Sequence, residues 1–221
     1  MLGVIIAVKD EAAAILANSA YKWEKQPDGS YYSVPRQIIL SICGIGKANT
    51  AFALGQIFAR VDEVIMFGTS GGLNAEIGSL YLCSEFVEHD MLVDALGVKP
   101  GITPFSGMSS AVIKSPNPKT LERIRNICRQ EKLELHEGRT LSGDQFIHSK
   151  ELANAKATQF GGQLADMESA AAAKICQHLC KPFCAVRYVT DNADNDALNC
   201  WQKNIEVSAE LFGRILLKLT E

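Results

Sequence analysis

The sequence predicts one α/β domain over residues 1–221, a three-layer α/β/α sandwich around a mixed central sheet. Three observations carry this reading. Short, continuous apolar runs rich in β-branched residues, such as Leu2–Val8 (LGVIIAV) and Glu63–Phe67 (EVIMF), have the pattern of strands buried on both faces. Segments with helical spacing alternate with them along most of the chain. One pair of runs, Tyr31–Val34 and Gln37–Cys43, follows the turn-forming Pro27-Asp28-Gly29-Ser30 and reads as an antiparallel hairpin, so the sheet is not purely parallel.

The remaining elements follow in order. Glu11–Ala17 reads as helical. Gly44-Ile45-Gly46-Lys47 is a glycine turn that opens a helix over Ala48–Arg60. The strand Glu63–Phe67 runs into the glycine-rich turn Gly68-Thr69-Ser70-Gly71-Gly72, and Leu80–Val87 is a strand ending at Glu88-His89-Asp90. Met91–Pro118, with its glycines and prolines, is expected to be a long loop of the kind that forms lids. Pro118–Glu131 places Leu121, Ile124, Ile127 and Cys128 on one helical face. Gly138–Ser142 leads into Gly143-Asp144-Gln145-Phe146-Ile147. Asp166–Leu179 reads as an alanine-rich helix, Phe183–Thr190 as a strand and Asn204–Leu219 as a closing amphipathic helix.

Composition narrows the function. With 221 residues, 47% of them hydrophobic and 21% charged, the chain suffices for one well-buried domain. A net charge of −3 creates no field that would gather nucleic acid or anionic lipid. Lys9, Asp10 and Glu11 interrupt the apolar start early, so neither a signal peptide nor a membrane span is expected, and a cytoplasmic location follows. The seven cysteines are odd in number and stand in no nucleophile motif. Cys43, Cys83 and Cys184 lie in or beside apolar runs, where a free thiol acts as a small hydrophobe. Cys176 and Cys180 sit four apart on the expected helix with His178 between them, but His178 points off their shared face; core packing is the expected role, not metal binding.

In open α/β sheets ligands bind beyond the carboxyl ends of the strands. That rule brings Asp10-Glu11, the turn 68–72, Glu88-His89-Asp90 and Asp191 to one rim. Each has a bland alternative. Asp10 has the character of a helix N-cap, the glycine turn of a tight connection, and Asp191 of a turn residue. Residues 68–72 lack the lysine of a Walker-A loop and the spacing of a dinucleotide fingerprint. Asp166-Met167-Glu168 opens a helix, where acids favour the dipole. A glutamate among Met167, Ala170, Ala171 and Ala172 still needs a partner to offset its burial.

Taken together and in order, these motifs resemble the 5′-methylthioadenosine/S-adenosylhomocysteine nucleosidases of the nucleoside phosphorylase superfamily. The matches are Asp10-Glu11, Gly44–Lys47, Gly68–Leu73, His89-Asp90, Ser142–Ile147, Asp166–Ala171 and Val186–Asp191. The resemblance implies a nucleosidase-like fold and hydrolysis of the bond between adenine and ribose. It makes Glu11 the base that activates water and Glu168 the ligand of the ribose hydroxyls, with Met167 against the sugar. Asp191 becomes the acid at N7 of adenine. Phe146 would stack on the base, the backbone of Ile147 would read its edge, and Ser70 and Gly71 would approach the sugar. Ile45 joins the substrate contacts, and Arg187 would steady the carboxylates. No metal and no cofactor is implied, and the expected partners are a small adenine nucleoside and a second copy of the chain in a homodimer.

The chemistry suits this cast. Glycosidic cleavage develops positive charge on the sugar and negative charge on the base, which a carboxylate and an acid respectively stabilise. A phosphorylase is the rival, since it replaces water by phosphate. Phosphate favours arginine, which the family's phosphorylases place just ahead of the glycine turn, but Ile65-Met66-Phe67 here holds no basic residue. A non-catalytic nucleoside binder is the third reading, and the three retained acids argue against it. The family's aromatic residues after His-Asp are replaced by Ala95-Leu96-Gly97-Val98, which leaves the 5′ substituent open. Methylthioadenosine comes first, then S-adenosylhomocysteine, with 5′-deoxyadenosine and aminodeoxyfutalosine as further candidates.

Overall fold

The computed structural model describes residues 1–114 and 117–221; residues 115–116 of the loop expected over 91–118 lie outside this set. Its centre is β1 (Leu2–Ile6), paired in parallel with both β4 (Ile38–Ile42) and β5 (Glu63–Gly72). Beyond β4 lie β3 (Tyr31–Ser33) and the two-residue β2 (Glu24–Lys25), both antiparallel. The hairpin is thus present with the expected pairing.

On the other side the sheet curls onto itself. β5 pairs in parallel with β10 (Phe183–Asp191), which is antiparallel to β6 (Leu80–Glu88). β6 is parallel to β8 (Leu135–Ser142), and β8 to β9 (Leu164–Asp166). β9 returns antiparallel to the far end of β5, with Gly71 opposite Ala165. Five strands therefore form a closed ring, while the short β7 (Ile113–Lys114) pairs with the end of β6.

Side-chain alternation builds the layers. Val4 and Ile6 of β1, with Ile65 and Phe67 of β5, face α1 (Ala13–Ala17), α3 (Pro118–Gln130) and α6 (Ala197–Leu219) through Ile15, Ile124 and Phe212. Ile5, Val64 and Met66 face the opposite way, onto α2 (Lys47–Ile57) and α5 (Ser169–His178) through Leu54, Ala172 and Cys176. Burying each such large side chain contributes roughly 1.5–3 kcal/mol relative to exposure. A third cluster packs α4 (Lys150–Phe160) against Leu141 and Ala165. Helices on both faces of a mixed sheet match the expected sandwich.

Several boundaries move. Residues 68–72 are not a turn: they continue β5 to Gly72, because glycine lets neighbours come closer than a side chain allows. A Cβ on Gly68 would stand 2.0 Å from Nη1 of Arg187, and one on Gly72 2.3 Å from the Ala75 carbonyl oxygen. Asp166 ends β9 rather than opening a helix, and α5 starts at Ser169. α5 stops at His178, so Cys180 lies past its end, exposed and with φ 56°, and shares no face with the buried Cys176. Asp10 is exposed and does not cap α1, whose N-cap is Ala12. α6 starts at Ala197, seven residues ahead of Asn204.

Candidate active site

A cavity of about 370 Å³ opens where β1, β5, β9 and β10 end. Glu11, Ile45, Ser70, Gly71, Phe146, Met167, Glu168 and Asp191 all line it. Ile147 lines a narrow recess beside it, together with Gly71, Met167 and Asp191. Arg187 is 1% exposed and lies behind the wall, within reach of the carboxylates and not of the cavity. Glu88, His89 and Asp90 also stay off the cavity wall. Their acids bind Lys47 instead, Asp90 at 2.7 Å and Glu88 at 3.6 Å. Asp90 further accepts from the Asp144 amide, and Asp144 from the Lys47 amide. This clasp joins the glycine turn 44–47 to the loop that carries Phe146.

Glu11 leaves β1 and folds back into the pocket. Its Oε1 accepts from the Thr69 amide at 2.7 Å and the Thr69 hydroxyl at 2.8 Å, and its Oε2 from the Val8 amide at 3.2 Å. Burial raises its pKa, against those hydrogen bonds and the Arg187 charge. Glu168 is the N-cap residue of α5, but its carboxylate reaches across to the Gly46 amide at 2.9 Å. Burial first, then the neighbouring Asp166, pushes Glu168 up to about 7.

Asp191 sits where the β5–β10 register slips between Val189 and Asp191, an irregularity that re-aims a side chain. Its oxygens accept from the Ala193 amide and the Thr190 hydroxyl, both at 2.9 Å. Burial raises this carboxyl too. A Cβ on Gly71 would fall 3.0 Å from Asp191 Oδ1, so glycine there keeps the carboxyl in place. Asp166 is the structural acid of the group. Its Oδ2 pairs with Arg187 at 2.7 Å, and its Oδ1 accepts from the Ser142 hydroxyl and the Glu168 and Ser169 amides. The Ser70 hydroxyl is buried without a partner among the described residues, which leaves it free to bond a ligand.

Trp201 and Leu198 of α6, together with Val8 and Thr69, also line the cavity, and the sequence reading does not single them out. The available signal was spacing. Ala197, Trp201, Ile205 and Ser208 fall on one helical stripe, and all but the half-buried Trp201 are buried.

Three buried carboxyls with raised pKa values, set around one cleft at the carboxyl ends of strands, are the kind of groups that acid–base chemistry needs. The chain belongs to the Phosphorylase superfamily, whose family profile matches residues 1–221. Aminodeoxyfutalosine nucleosidase of Helicobacter pylori is 27% identical, over 100% of this chain and 97% of that protein. The 5′-methylthioadenosine/S-adenosylhomocysteine nucleosidase of Staphylococcus aureus is 26% identical, over 95% of this chain and 94% of that protein. Among solved structures, the nucleosidase of the same name from Neisseria meningitidis, in complex with methylthio-immucillin-A, aligns with a TM-score of 0.89 and 28% identity. That alignment covers 99% of this chain and 97% of the other. Futalosine hydrolase of H. pylori aligns with a TM-score of 0.89 and 26% identity, covering 99% and 96%.

Proposed function

We propose that this enzyme, as a single nucleosidase domain, hydrolyses the N-glycosidic bond of 5′-substituted adenosines, releasing adenine and the 5′-substituted ribose. Methylthioadenosine and S-adenosylhomocysteine are the first substrates to test, followed by 5′-deoxyadenosine and aminodeoxyfutalosine. The observation that carries this reading is the convergence of Glu11, Glu168 and Asp191 on one cavity. The names of the relatives support its chemistry, and they span more than one 5′ substituent.

In this reading Phe146 stacks on adenine and the Ile147 backbone meets its edge. Asp191, whose carboxyl burial makes easier to protonate, gives a proton to N7 as the C–N bond breaks, so the base leaves neutral. Glu168 bonds the ribose hydroxyls over Met167 and stabilises the positive charge on the sugar. Ser70 and Gly71 flank the sugar, and Ile45 covers it. Glu11 takes the proton of the water whose oxygen bonds to C1′. Arg187 steadies the group indirectly, by holding Asp166.

Water rather than phosphate is favoured because the Arg187 guanidinium behind the site is already paired with Asp166, while Glu11 occupies the nucleophile's side. A homodimer is part of the proposal. Leu92, Leu96 and Phe105 of the segment after β6 are exposed apolar residues that a second copy would cover. Adenine release measured over a panel of 5′-substituted adenosines, with and without phosphate, tests the reading. Release independent of phosphate is expected. Release only with phosphate would make the protein a phosphorylase, and no release from any member of the panel would make it a binder.

A further inference from the structure

The indole of Trp201 does more than wall the cavity. Its Nε1 lies 3.0 Å from the hydroxyl oxygen of Thr69, and that hydroxyl lies 2.8 Å from Oε1 of Glu11. An indole N–H only donates, whereas a threonine hydroxyl has one proton that swings to whichever acceptor is offered. With Trp201 donating to it, the Thr69 oxygen is an acceptor on that side, and its own proton is directed at Glu11. Oε1 then receives two donors from Thr69, the amide and the hydroxyl, whereas among the described residues Oε2 receives the Val8 amide alone, at 3.2 Å.

Resting on Glu11 as the base of the hydrolysis, we infer that Trp201 is a positioning residue that acts through the Thr69 hydroxyl. It fixes Oε1 as a permanent acceptor and leaves Oε2 as the oxygen that takes the proton from water. The helix that carries Trp201 is itself tied to the strand that carries Asp191. Asn204, three residues on, donates to the Thr190 carbonyl at 2.9 Å and to the Cys200 carbonyl at 2.9 Å. One turn of α6 thereby sets the geometry of the water end of the site from the frame of the base end.

Other groups act on Glu11 from the neighbouring elements: the Arg187 guanidinium of β10, Glu168 at the start of α5, and the Cys43 thiol after β4. They set its baseline, and replacing an indole N–H by a phenyl C–H leaves them in place. A hydrogen bond to the ionised form favours that form, so its loss makes the carboxyl harder to ionise.

The test is the pH profile of kcat/KM for adenine release by wild type, Trp201→Phe, Thr69→Val and the double variant, with melting temperatures to verify folding. Thr69→Val removes the side-chain hydrogen bond to Glu11 and should move the acidic limb up by about half to one pH unit, the size of one hydrogen bond to a carboxylate. Trp201→Phe, which leaves that bond in place but frees its proton to turn away, should move the limb in the same direction by a smaller step. In the Thr69→Val background Trp201→Phe should add nothing to that shift, which a merely structural tryptophan would not reproduce. A Trp201→Phe limb at the wild-type pH, or a shift that persists in full without the Thr69 hydroxyl, would overturn the relay. A wild type that releases no adenine fails the hydrolase reading instead, so the two failures are distinct.

Discussion

The guanidinium of Arg187 stands 2.7 Å from the carboxylate of Asp166, with both side chains 1% exposed. Two charges removed from water to this degree hold only because each answers the other. The pair lies directly under the cavity floor, since Asp166 lines the pocket and Arg187 does not. Replacing Arg187 with Met should cost about 3–5 kcal/mol of stability, the range for breaking one half of a buried pair. Urea unfolding monitored by circular dichroism measures the loss. A change below 1 kcal/mol would mean that Asp166 finds another partner.

Glu11→Gln keeps the size and the acceptor oxygen of the side chain but cannot take up a proton. Turnover should fall by about 10² or more with substrate affinity nearly unchanged, the usual consequence of removing a general base. Steady-state kinetics with methylthioadenosine give both numbers, and near-native turnover would remove Glu11 from the reaction.

Glu168 makes a prediction about pH and stability. Its folded-state pKa of about 7 lies above the ordinary 4.5, so between those values the native state holds a proton that the unfolded chain has lost. Stability contributed by this group therefore falls as pH rises from about 4.5 to 7 and then levels off. Glu168→Gln removes the penalty, so its melting temperature relative to wild type should rise between pH 4.5 and 8. A gap independent of pH contradicts the raised value. If the same carboxylate binds the ribose hydroxyls, 2′-deoxy substrates should react poorly with the wild-type enzyme.

Asp191→Asn should nearly abolish adenine release, because an amide has no acidic proton to give N7. Once that proton has gone, the carboxylate also suits the 6-amino group of adenine better than the 6-oxo group of inosine. A site built to bond one group rejects its mismatch by several orders of magnitude. Comparing adenosine-type with inosine-type thioethers checks the preference. Equal rates would refute base recognition by Asp191, and an active Asn variant would refute its role as the acid.

Much of this architecture is legible in the sequence because buried strands write themselves as unbroken apolar runs. β1 is of that kind, and so is the first half of β5, while β10 keeps an apolar run broken by Arg187. The second half of β5 is not, since Gly68-Thr69-Ser70-Gly71-Gly72 has the composition of a turn. Only the approach of Arg187, Asp191 and Ala75 explains why glycines continue a strand there. α4 and β9 are passed over for a related reason. β9 has three residues, and α4 mixes alanines with polar residues and shows little amphipathic contrast. The acids of the site are legible as strand-end residues, whereas Trp201 is hidden in a stretch whose polar Asn192–Asp196 lead-in reads as loop. Arg187 shows the limit of motif reasoning: position along the chain marks it, but only burial distinguishes a residue that supports the site from one that touches a ligand.

The closed ring of β5, β10, β6, β8 and β9 has a consequence for how this protein meets other chains. A sheet edge is a template on which a foreign strand can extend the hydrogen-bond ladder. Here the strands that bear the site spend their main-chain donors and acceptors on one another. The path of the sheet ends instead at β2, only two residues long, where Glu24 and Lys25 are both exposed and charged. That flank is too short and too polar to recruit another strand, and β7, which pairs with β6 off this path, also has only two residues, so the sheet offers a foreign strand little to lengthen.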